Sequence, residues 1–300
     1  MRVGVTGGTG FLGSRLVERL RERGNVPIVF TRRSKTGATP HGVEFRNWDV
    51  TQVLSSDQIS DLDAVIHLAG ESVLGLWTPK KKQKIHDVRV LGARHLVEAM
   101  GRASPRPKVF LSSSASGFYG DGGDAVLTES SPHGVGFLAQ LCAEWENEAA
   151  RAETYGVRVV RLRTTLPLDS GGGILRSLSV PFRLGLGGAL GSGRQWMPWI
   201  HIEDWIRLVL HALDHAGIEG PLNLSAPQPV RNQEFTDTLA RVLQRPAFLR
   251  VPAFVLNRFP QGREGALVSQ RVVPAKAEAT GFQFRHPQLK EALQQLLGRA

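Results

Sequence analysis

Three glycines near the start of the chain have the spacing that a phosphate-binding turn requires. They are Gly7, Gly10 and Gly13, and they follow a short apolar strand that contains Val3 and Val5. In such a turn the first glycine permits a tight bend, the second leaves room for phosphate, and the third lets the next helix pack on the strand. Free N–H groups and the positive end of that helix then meet the phosphates. This segment predicts a dinucleotide site, with candidate ligands Gly7, Thr9, Gly10, Phe11, Leu12 and Gly13.

The residues after the second predicted strand indicate which dinucleotide is bound. Folds that select NAD usually carry Asp or Glu there, whereas this chain has Arg32 and Arg33 after Thr31. A carboxylate would repel a 2′-phosphate, but a guanidinium binds it through two parallel hydrogen bonds. We therefore predict NADP(H) as the cofactor; the alternative is a pair of solvent-exposed loop arginines. Further candidate cofactor-binding residues follow later strands: Asp49, Leu68, Ala69, Gly70 and Arg163.

Strand and helix signals alternate through the first half of the chain. The predicted strands cover residues 2–6, 27–31, 43–45, 63–68, 108–112 and 157–162. The predicted helices cover residues 11–23, 80–100 and 136–154. Apolar strands that alternate with helices imply parallel strands covered on both faces. The pattern predicts an α/β protein with a Rossmann-type doubly wound parallel sheet.

The pattern changes after about residue 165. Residues 171–193 contain eight glycines and predict an ordered loop that covers a ligand. Further helices are predicted at 205–214, at 232–244 and after Pro287. We therefore predict an NADP-binding domain over 1–165, completed by 196–225. The remaining segments, 166–195 and 226–300, would form a lid and a small C-terminal substrate-side subdomain.

The amino-acid composition of the chain limits the kinds of partner and compartment that we expect. The single cysteine, Cys142, excludes an intramolecular disulfide and fits a reducing cytoplasm. No uncharged apolar run is long enough to span a membrane. The net charge is +10, but the basic residues are scattered, so we predict no nucleic-acid partner. The run Lys80–Lys82 with Lys84 is interpreted as the solvated face of a helix.

Several motifs resemble the extended short-chain dehydrogenase/reductase superfamily. They are Thr6–Gly13, Asp63–Gly70, Ser112–Gly120 and Trp199–Asp204. A second set resembles the branch called the epimerase family: Pro181–Gly188, Pro198–Ile202, Asn232-x-x-Phe235, Arg245-Pro246, Val251-Pro252 and Gly281-Phe-x-Phe284. Together they cover nearly the whole chain. The resemblance implies a nicotinamide cofactor and a Ser and a Tyr that act on the substrate carbonyl or hydroxyl.

The chain departs from the superfamily at its usual Tyr-x-x-x-Lys pair. In that pair the Lys lowers the pKa of the Tyr, which is otherwise near ~10 and too high for a base at neutral pH. Here Phe137 or Leu138 takes the Tyr place, and Leu141 or Cys142 takes the Lys place. Neither of the two tyrosines in the chain is followed by Lys at the fourth position. The usual proton relay is therefore not predicted.

Ser114 and Tyr119 are the remaining catalytic candidates. They follow the fifth predicted strand, where the resemblance implies the nicotinamide. Ser114 would orient a substrate oxygen and Tyr119 would exchange its proton; alternatively, residues 112–116 form a hydrogen-bonded turn and Tyr119 packs over the cofactor. Arg89 stands where the superfamily commonly has Asn, and it either reaches an anionic substrate or replaces a helix-bending water site.

Other polar residues have simpler interpretations. We interpret His67 as a buried histidine bonded to backbone, and His201 with Asp204 as a fastening between strand and helix. Arg183 and Arg194 either bind an anionic ligand or face solvent. No group of His, Cys, Asp and Glu has the sequence spacing of metal ligands.

Two functional hypotheses follow. The first is an NADP(H)-dependent oxidoreductase or epimerase that acts on a small polar substrate, anionic or neutral, and that could form a homodimer. The second is a non-catalytic NADPH-binding protein that senses redox state or supports a partner. The missing Tyr-Lys pair favours the second hypothesis. The glycine turn and the aromatic residues around the predicted lid favour the first.

Overall fold

The computed structural model describes residues 1–32, 37–38, 42–258 and 264–298. The chain forms two compact units. Unit 1 contains Met1–Ser114, Leu141–Leu162 and Val209–Pro221. Unit 2 contains Ala115–Gln140, Arg163–Leu208 and the chain from Leu222 onward. The domain prediction from sequence placed residues 115–140 with the cofactor domain, whereas these residues belong to unit 2.

The strands and helices have the following bounds. The strands are β1 (Arg2–Thr6), β2 (Val26–Thr31), β3 (Gly37–Ala38), β4 (Glu44–Asn47), β5 (Ala64–His67), β6 (Val109–Ala115), β7 (Val126–Leu127), β8 (Arg158–Thr164), β9 (Leu166–Leu168), β10 (Trp196–Met197), β11 (Trp199–His201), β12 (Gly220–Leu224), β13 (Val230–Arg231) and β14 (Arg271–Val272). The helices are α1 (Phe11–Glu22), α2 (Pro79–His86), α3 (Gly92–Arg102), α4 (Phe137–Ala150), α5 (Gly173–Arg183), α6 (Ile202–Asp214), α7 (Asn232–Leu243), α8 (Ala253–Asn257), α9 (Ala275–Ala279) and α10 (Leu289–Leu297).

The main sheet confirms the predicted doubly wound α/β fold. Its strand order is β12-β8-β6-β5-β1-β2-β4-β3. The strand β1 pairs in parallel with β2 on one side and β5 on the other, so Val5 lies opposite both Val29 and Ile66. The strand β3 is antiparallel to β4. The strand order reverses beside β1, and open sheets of this kind bind ligands at the carboxyl ends of strands at such a switch point.

Buried apolar side chains hold the first βα unit together. Val3 and Val5 of β1 are fully buried, as are Leu16 and Leu20 on the inner face of α1. Leu16 and Leu20 are four residues apart and therefore lie on one side of the helix. Each such side chain contributes about 1.5–3 kcal/mol when it leaves water. This packing fixes the turn between β1 and α1 in place.

The helix predicted over residues 80–100 is divided into three parts. The helix α2 begins after Thr78, whose hydroxyl accepts the N–H of Lys81 at 3.2 Å, and Pro79 occupies its first position. A π-helical turn over Asp87–Leu91 then precedes α3. Such a turn inserts an extra residue and redirects the side chains that it carries. Arg89 lies in this turn.

The prediction of a loop over the whole of residues 171–193 is wrong. The first part of this segment forms the helix α5, on which Leu175, Ser179 and Phe182 are buried at helical spacing. Within α5 only the first residue, Gly173, is a glycine; the other glycines of the segment lie before or after the helix, so burial at helical spacing decides the structure of residues 174–183. No helix among those described has both the length and the apolar character needed to cross a membrane.

Candidate functional site

The turn between β1 and α1 has a geometry that only glycines allow. Gly7 has a φ of +68°, and a Cβ there would lie 2.7 Å from the carbonyl carbon and oxygen of Leu68. A Cβ on Gly13 would overlap the carbonyl oxygen of Gly7. Gly10 precedes α1, where no side chain caps the helix. The first N–H groups of α1 are therefore left for a ligand, and an anion suits them best.

A cavity of about 950 Å³ lies beside this turn within unit 1. Its volume is within the range of cofactor sites. Of the residues predicted to bind a cofactor, those that line it are Gly7, Thr9, Gly10, Arg32, Asp49, Leu68, Ala69 and Gly70. Phe11, Leu12 and Gly13 are not among its lining residues; they form the first turn of α1.

The far end of the cavity carries charges of both signs. Arg32 follows β2 and is exposed, while Arg33 lies outside the described residues. Asp49 Oδ1 accepts the backbone N–H of Thr51 at 3.0 Å and its hydroxyl at 2.8 Å. The backbone N–H of Thr51 is the main reason that the pKa of Asp49 lies below its usual range, and the positive charge of Arg32 adds to the effect. Asp49 is therefore ionised at neutral pH.

The structure adds a role to the lysines of α2, which the sequence analysis interpreted as the solvated face of a helix. Lys80 and Lys84 line the cavity rather than forming a purely solvated face. Lys81 Nζ lies 2.5 Å from Glu71 Oε1, and Lys84 Nζ lies 3.0 Å from Glu71 Oε2. The hydrogen bond from Lys81 is the largest cause of a lowered pKa for Glu71. The clue in the sequence is that Glu71 directly follows Gly70, a residue already predicted to bind the cofactor.

Buried polar groups support the cavity floor. The hydroxyl of Thr6 lies 2.7 Å from His67 Nδ1 and also accepts the N–H of Ala69 at 3.2 Å. Thr6 therefore links the end of β1 to the ring of His67 and to the backbone that follows β5. Burial lowers the pKa of His67 to about 4. His67 is thus a neutral positioning residue. Its ring bonds to the Thr6 hydroxyl, and a backbone hydrogen bond to Arg89 partly offsets the effect of burial on its pKa, in keeping with the predicted backbone contact.

This histidine should make folding pH-dependent. Because the folded pKa of about 4 lies below the unfolded value of 6.5, the unfolded chain binds more protons between these values. The stability contributed by neutral His67 is complete above pH 6.5 and is lost as the pH falls toward 4. As the pH falls from 6.5 to 4, we expect the free energy of unfolding to decrease by up to about 3 kcal/mol more in the native chain than in a His67→Gln variant. Urea unfolding at several pH values measures this difference, and His215→Gln, at an exposed site, is the control. Parallel pH profiles for native and His67→Gln proteins would contradict the assignment.

Ser114 is paired with a carboxylate that the sequence analysis missed. The hydroxyl of Ser114 donates to Glu146 Oε1 at 2.6 Å, and both residues are buried in unit 1. The strands β5 and β6 are parallel, with His67 opposite Ser112, so Ser114 lies at the same sheet edge as Ala69. Glu146 lies on α4, one helical turn beyond the place where the superfamily has its Lys. The clue in the sequence is an acid flanked by the apolar residues of this helix.

Tyr119 has a different environment, within unit 2. Its hydroxyl donates to Asn223 Oδ1 at 2.6 Å and accepts from Arg163 Nη1 at 2.9 Å. The guanidinium of Arg163 lies 3.6 Å from the ring centre of Phe118 and also donates to the carbonyl of Glu129. Burial raises the pKa of Tyr119, which opposes a role as a base. Arg163, predicted to bind the cofactor, is a partner of Tyr119 and is not among the residues that line the cavity.

The remaining polar candidates also lie in unit 2. His201 Nδ1 accepts the N–H of Glu203 at 3.1 Å and so holds the start of α6. Asp204 accepts the backbone N–H groups of Arg285 and His286 at 2.9 and 2.8 Å, which supports the predicted fastening. Ligand atoms of His201, Glu203 and His286 lie within 4.8 Å of one another, but Glu203 is ion-paired with Arg285. Arg183 and Arg194 are exposed.

A parallel sheet with a bare helix start at its switch point defines the Rossmann class of α/β proteins. Residues 3–224 match the NAD dependent epimerase/dehydratase family, and residues 251–296 match a domain of unknown function, DUF1731. The chain belongs to the NAD dependent epimerase/dehydratase family. This confirms the resemblance drawn from the sequence motifs.

Relatives of known sequence and structure match nearly the whole chain. An epimerase family protein of Mycobacterium leprae is 38% identical over 298 residues, which cover 97% of this chain and 94% of that protein. One of Staphylococcus haemolyticus is 36% identical over 296 residues, which cover 98% of each chain. The crystal structure of the human epimerase family protein SDR39U1 with NADPH has a TM-score of 0.89 and 33% identity, and the match covers 100% of both chains.

Proposed function

We propose that this protein binds NADPH in the cavity of unit 1 and is an oxidoreductase or epimerase for a small polar substrate. The observation that carries the proposal is the open backbone at Gly10 together with Arg32, where NAD-selecting folds have a carboxylate. The human relative that was crystallised with NADPH supports this choice. The single cysteine supports a reducing compartment such as the cytoplasm.

Each part of the cofactor has matching groups in the cavity. The N–H groups at the start of α1 would hold the diphosphate, and Arg32 would hold the 2′-phosphate. Lys80 and Lys84 also line the cavity and add positive charge. When bound, the nicotinamide ring would accept or supply a hydride.

We assign proton handling to Ser114 and Glu146. A substrate hydroxyl or carbonyl oxygen would bind to Ser114 Oγ, and a proton would pass between that oxygen and Glu146 Oε1 through Ser114. The 2.6 Å bond keeps the serine hydroxyl oriented toward the carboxylate. Tyr119 does not take part in this proposal, because its hydroxyl already donates to Asn223 and accepts from Arg163. Its role would be structural.

The absent Tyr-Lys pair favours a second candidate function, a protein that binds NADPH without turnover. Tight cofactor binding does not by itself imply catalysis, because only interactions that strengthen in the transition state accelerate a reaction. The two candidates differ in turnover of an added substrate: an oxidoreductase oxidises NADPH, an epimerase interconverts two epimers and returns its cofactor unchanged, and the second candidate does neither.

A substrate panel tests these proposals. We expect purified protein to oxidise NADPH with at least one of a set of aldehydes, ketones and keto sugars. Glu146→Gln should lower kcat about 100-fold, since general acid–base groups contribute this much, with the NADPH affinity unchanged. Glu144→Gln, on the same helix, is the matched control, and Tyr119→Phe should retain turnover.

The panel has three informative outcomes. Turnover that survives Glu146→Gln would overturn the assignment of this pair. Turnover abolished by Tyr119→Phe in a folded variant would restore Tyr119 as the catalytic residue. Tight NADPH binding with no turnover on any substrate would support the non-catalytic alternative.

A further inference from the structure

Arg89 occupies an unusual position beside the cavity. It lies in the π-helical turn between α2 and α3, and its guanidinium reaches the backbone of Gly70. A Cβ on Gly70 would lie 3.3 Å from Arg89 Nη2 and 3.5 Å from Cζ. Gly70 itself lines the cavity. The absence of a side chain at Gly70 therefore lets a positive charge lie at the cavity edge.

This charge has no carboxylate partner in the part of the chain that the structure describes. Its hydrogen bond there runs from Nη1 to the carbonyl of Ile85 at a long 3.3 Å, and its planar group lies 5.4 Å from the ring centre of Trp145. Glu71 attracts it, but the carboxylate of Glu71 is already held by Lys81 and Lys84. Burial lowers the pKa of Arg89. Several N–H donors of the guanidinium remain available.

Other arginines of unit 1 are satisfied by the protein. Arg2 contacts Glu44 and Asp61, and Arg94 contacts Glu148. Arg158 donates to three backbone carbonyls at 2.6–2.9 Å. A partly desolvated cation without such partners destabilises the fold unless an anion joins it. The side chain of Arg89 is mostly buried but not fully enclosed, and Gly70, against which it lies, lines the cavity from which an anion would approach.

We propose that Arg89 binds a carboxylate group of the substrate at the edge of the cavity beside Gly70. The inference rests on the proposed function, because it adds a substrate class to the same site. One guanidinium matches one carboxylate through two parallel hydrogen bonds. The single negative charge of a carboxylate matches the single positive charge of Arg89, since the nearby Lys81 and Lys84 are paired with Glu71. Gly70 follows β5 at the sheet edge where Ser114 lies, so the carboxylate would anchor a substrate whose reacting oxygen binds Ser114.

A binding experiment on the NADPH-loaded protein tests this proposal without requiring turnover. Linear monocarboxylates, 2-oxo acids and 2-hydroxy acids of increasing length are titrated while NADPH fluorescence is followed, beside their neutral amides and inorganic phosphate. We expect at least one acid to bind about tenfold or more tightly than its amide, because a charged hydrogen-bonded pair is lost in the amide. Arg89→Gln should remove this difference, and Arg89→Lys should retain part of it. Arg94→Gln is the matched control.

The outcomes separate this inference from the proposed function. Loss of NADPH binding in the native protein would overturn the proposed function itself. NADPH affinity that falls by about tenfold or more in Arg89→Gln would show that Arg89 serves the cofactor, and the inference would be wrong. It would also be wrong if no acid binds better than its amide, if phosphate binds better than every acid, or if Arg89→Gln binds acids as the native protein does.

Discussion

Replacing Gly10 with Ala is expected to weaken NADPH binding about 30-fold while leaving the fold intact. Gly10 has φ and ψ angles of −83° and 179°, which any residue adopts, and a Cβ there would have one close neighbour, the carbonyl oxygen of Gly7 at 3.2 Å. The added methyl group would occupy the space through which the diphosphate approaches the N–H groups of α1. Loss of charge-assisted hydrogen bonds worth about 2 kcal/mol gives this fold-change. Calorimetric titration measures the affinity, and thermal unfolding measures the stability.

Two other glycines provide the controls for this experiment. Gly24→Ala introduces a residue with a φ of +77° into open space, so it should cost about 1 kcal/mol of stability without affecting NADPH. Gly13→Ala should reduce both stability and binding, because its Cβ would overlap the Gly7 carbonyl and force α1 away from β1. If Gly10→Ala binds NADPH as tightly as the native protein, the diphosphate does not bind at this turn.

Replacing Arg32 with Ala is expected to weaken NADPH binding about 30- to 100-fold and NADH binding by less than about threefold. The two cofactors differ only in the 2′-phosphate, so the difference isolates the group that Arg32 is proposed to bind. A charge-assisted, two-point contact of this kind is worth about 2–3 kcal/mol. Arg32 is exposed on the cavity wall, and its charge already lowers the pKa of the neighbouring Asp49.

The Arg32 titrations are made at one fixed ionic strength, because salt screens exposed charges. Arg21→Ala, which removes an exposed arginine from the last turn of α1, is the control and should bind both cofactors normally. Equal losses of NADPH and NADH affinity would contradict selection by Arg32. An unchanged NADPH affinity would instead direct attention to Lys80 and Lys84, which also line the cavity.

Local sequence was sufficient for the elements that carry the cofactor turn. The prediction of a strand over 2–6 and a helix over 11–23 agrees with β1 and α1 to within one residue. These elements depend on glycine spacing and on apolar periodicity within about twenty residues, which is a short-range property. The helix α5 was missed because the glycines on either side of it indicate a loop locally, whereas burial of Leu175 and Phe182 decides the helix.

Charged and polar partners could not be predicted in the same way. Ser114 meets Glu146 across 32 residues of sequence, and Tyr119 meets Asn223 across 104. The run of lysines after Thr78 has the composition of a solvated helix, and only its packing shows that Lys80 and Lys84 line a cavity. A side chain's hydrogen-bond partner depends on where distant segments of chain cross, and no local pattern encodes that crossing.

The amino-acid sequence by itself determined the α/β class, the order of strands and helices in the first half, the glycine turn and the family. The class, the order of elements and the turn follow from spacing and hydrophobic periodicity, which act between near neighbours in the chain. The family follows from the resemblance of motifs spread along the chain. The tertiary structure alone decided that Arg89 lies against Gly70 with no carboxylate bound to it among the described residues, that Glu146 holds Ser114, and that Arg163 belongs with Tyr119. These contacts arise because packing brings together groups that the sequence keeps apart, and burial then makes each charge or hydroxyl depend on its new neighbours.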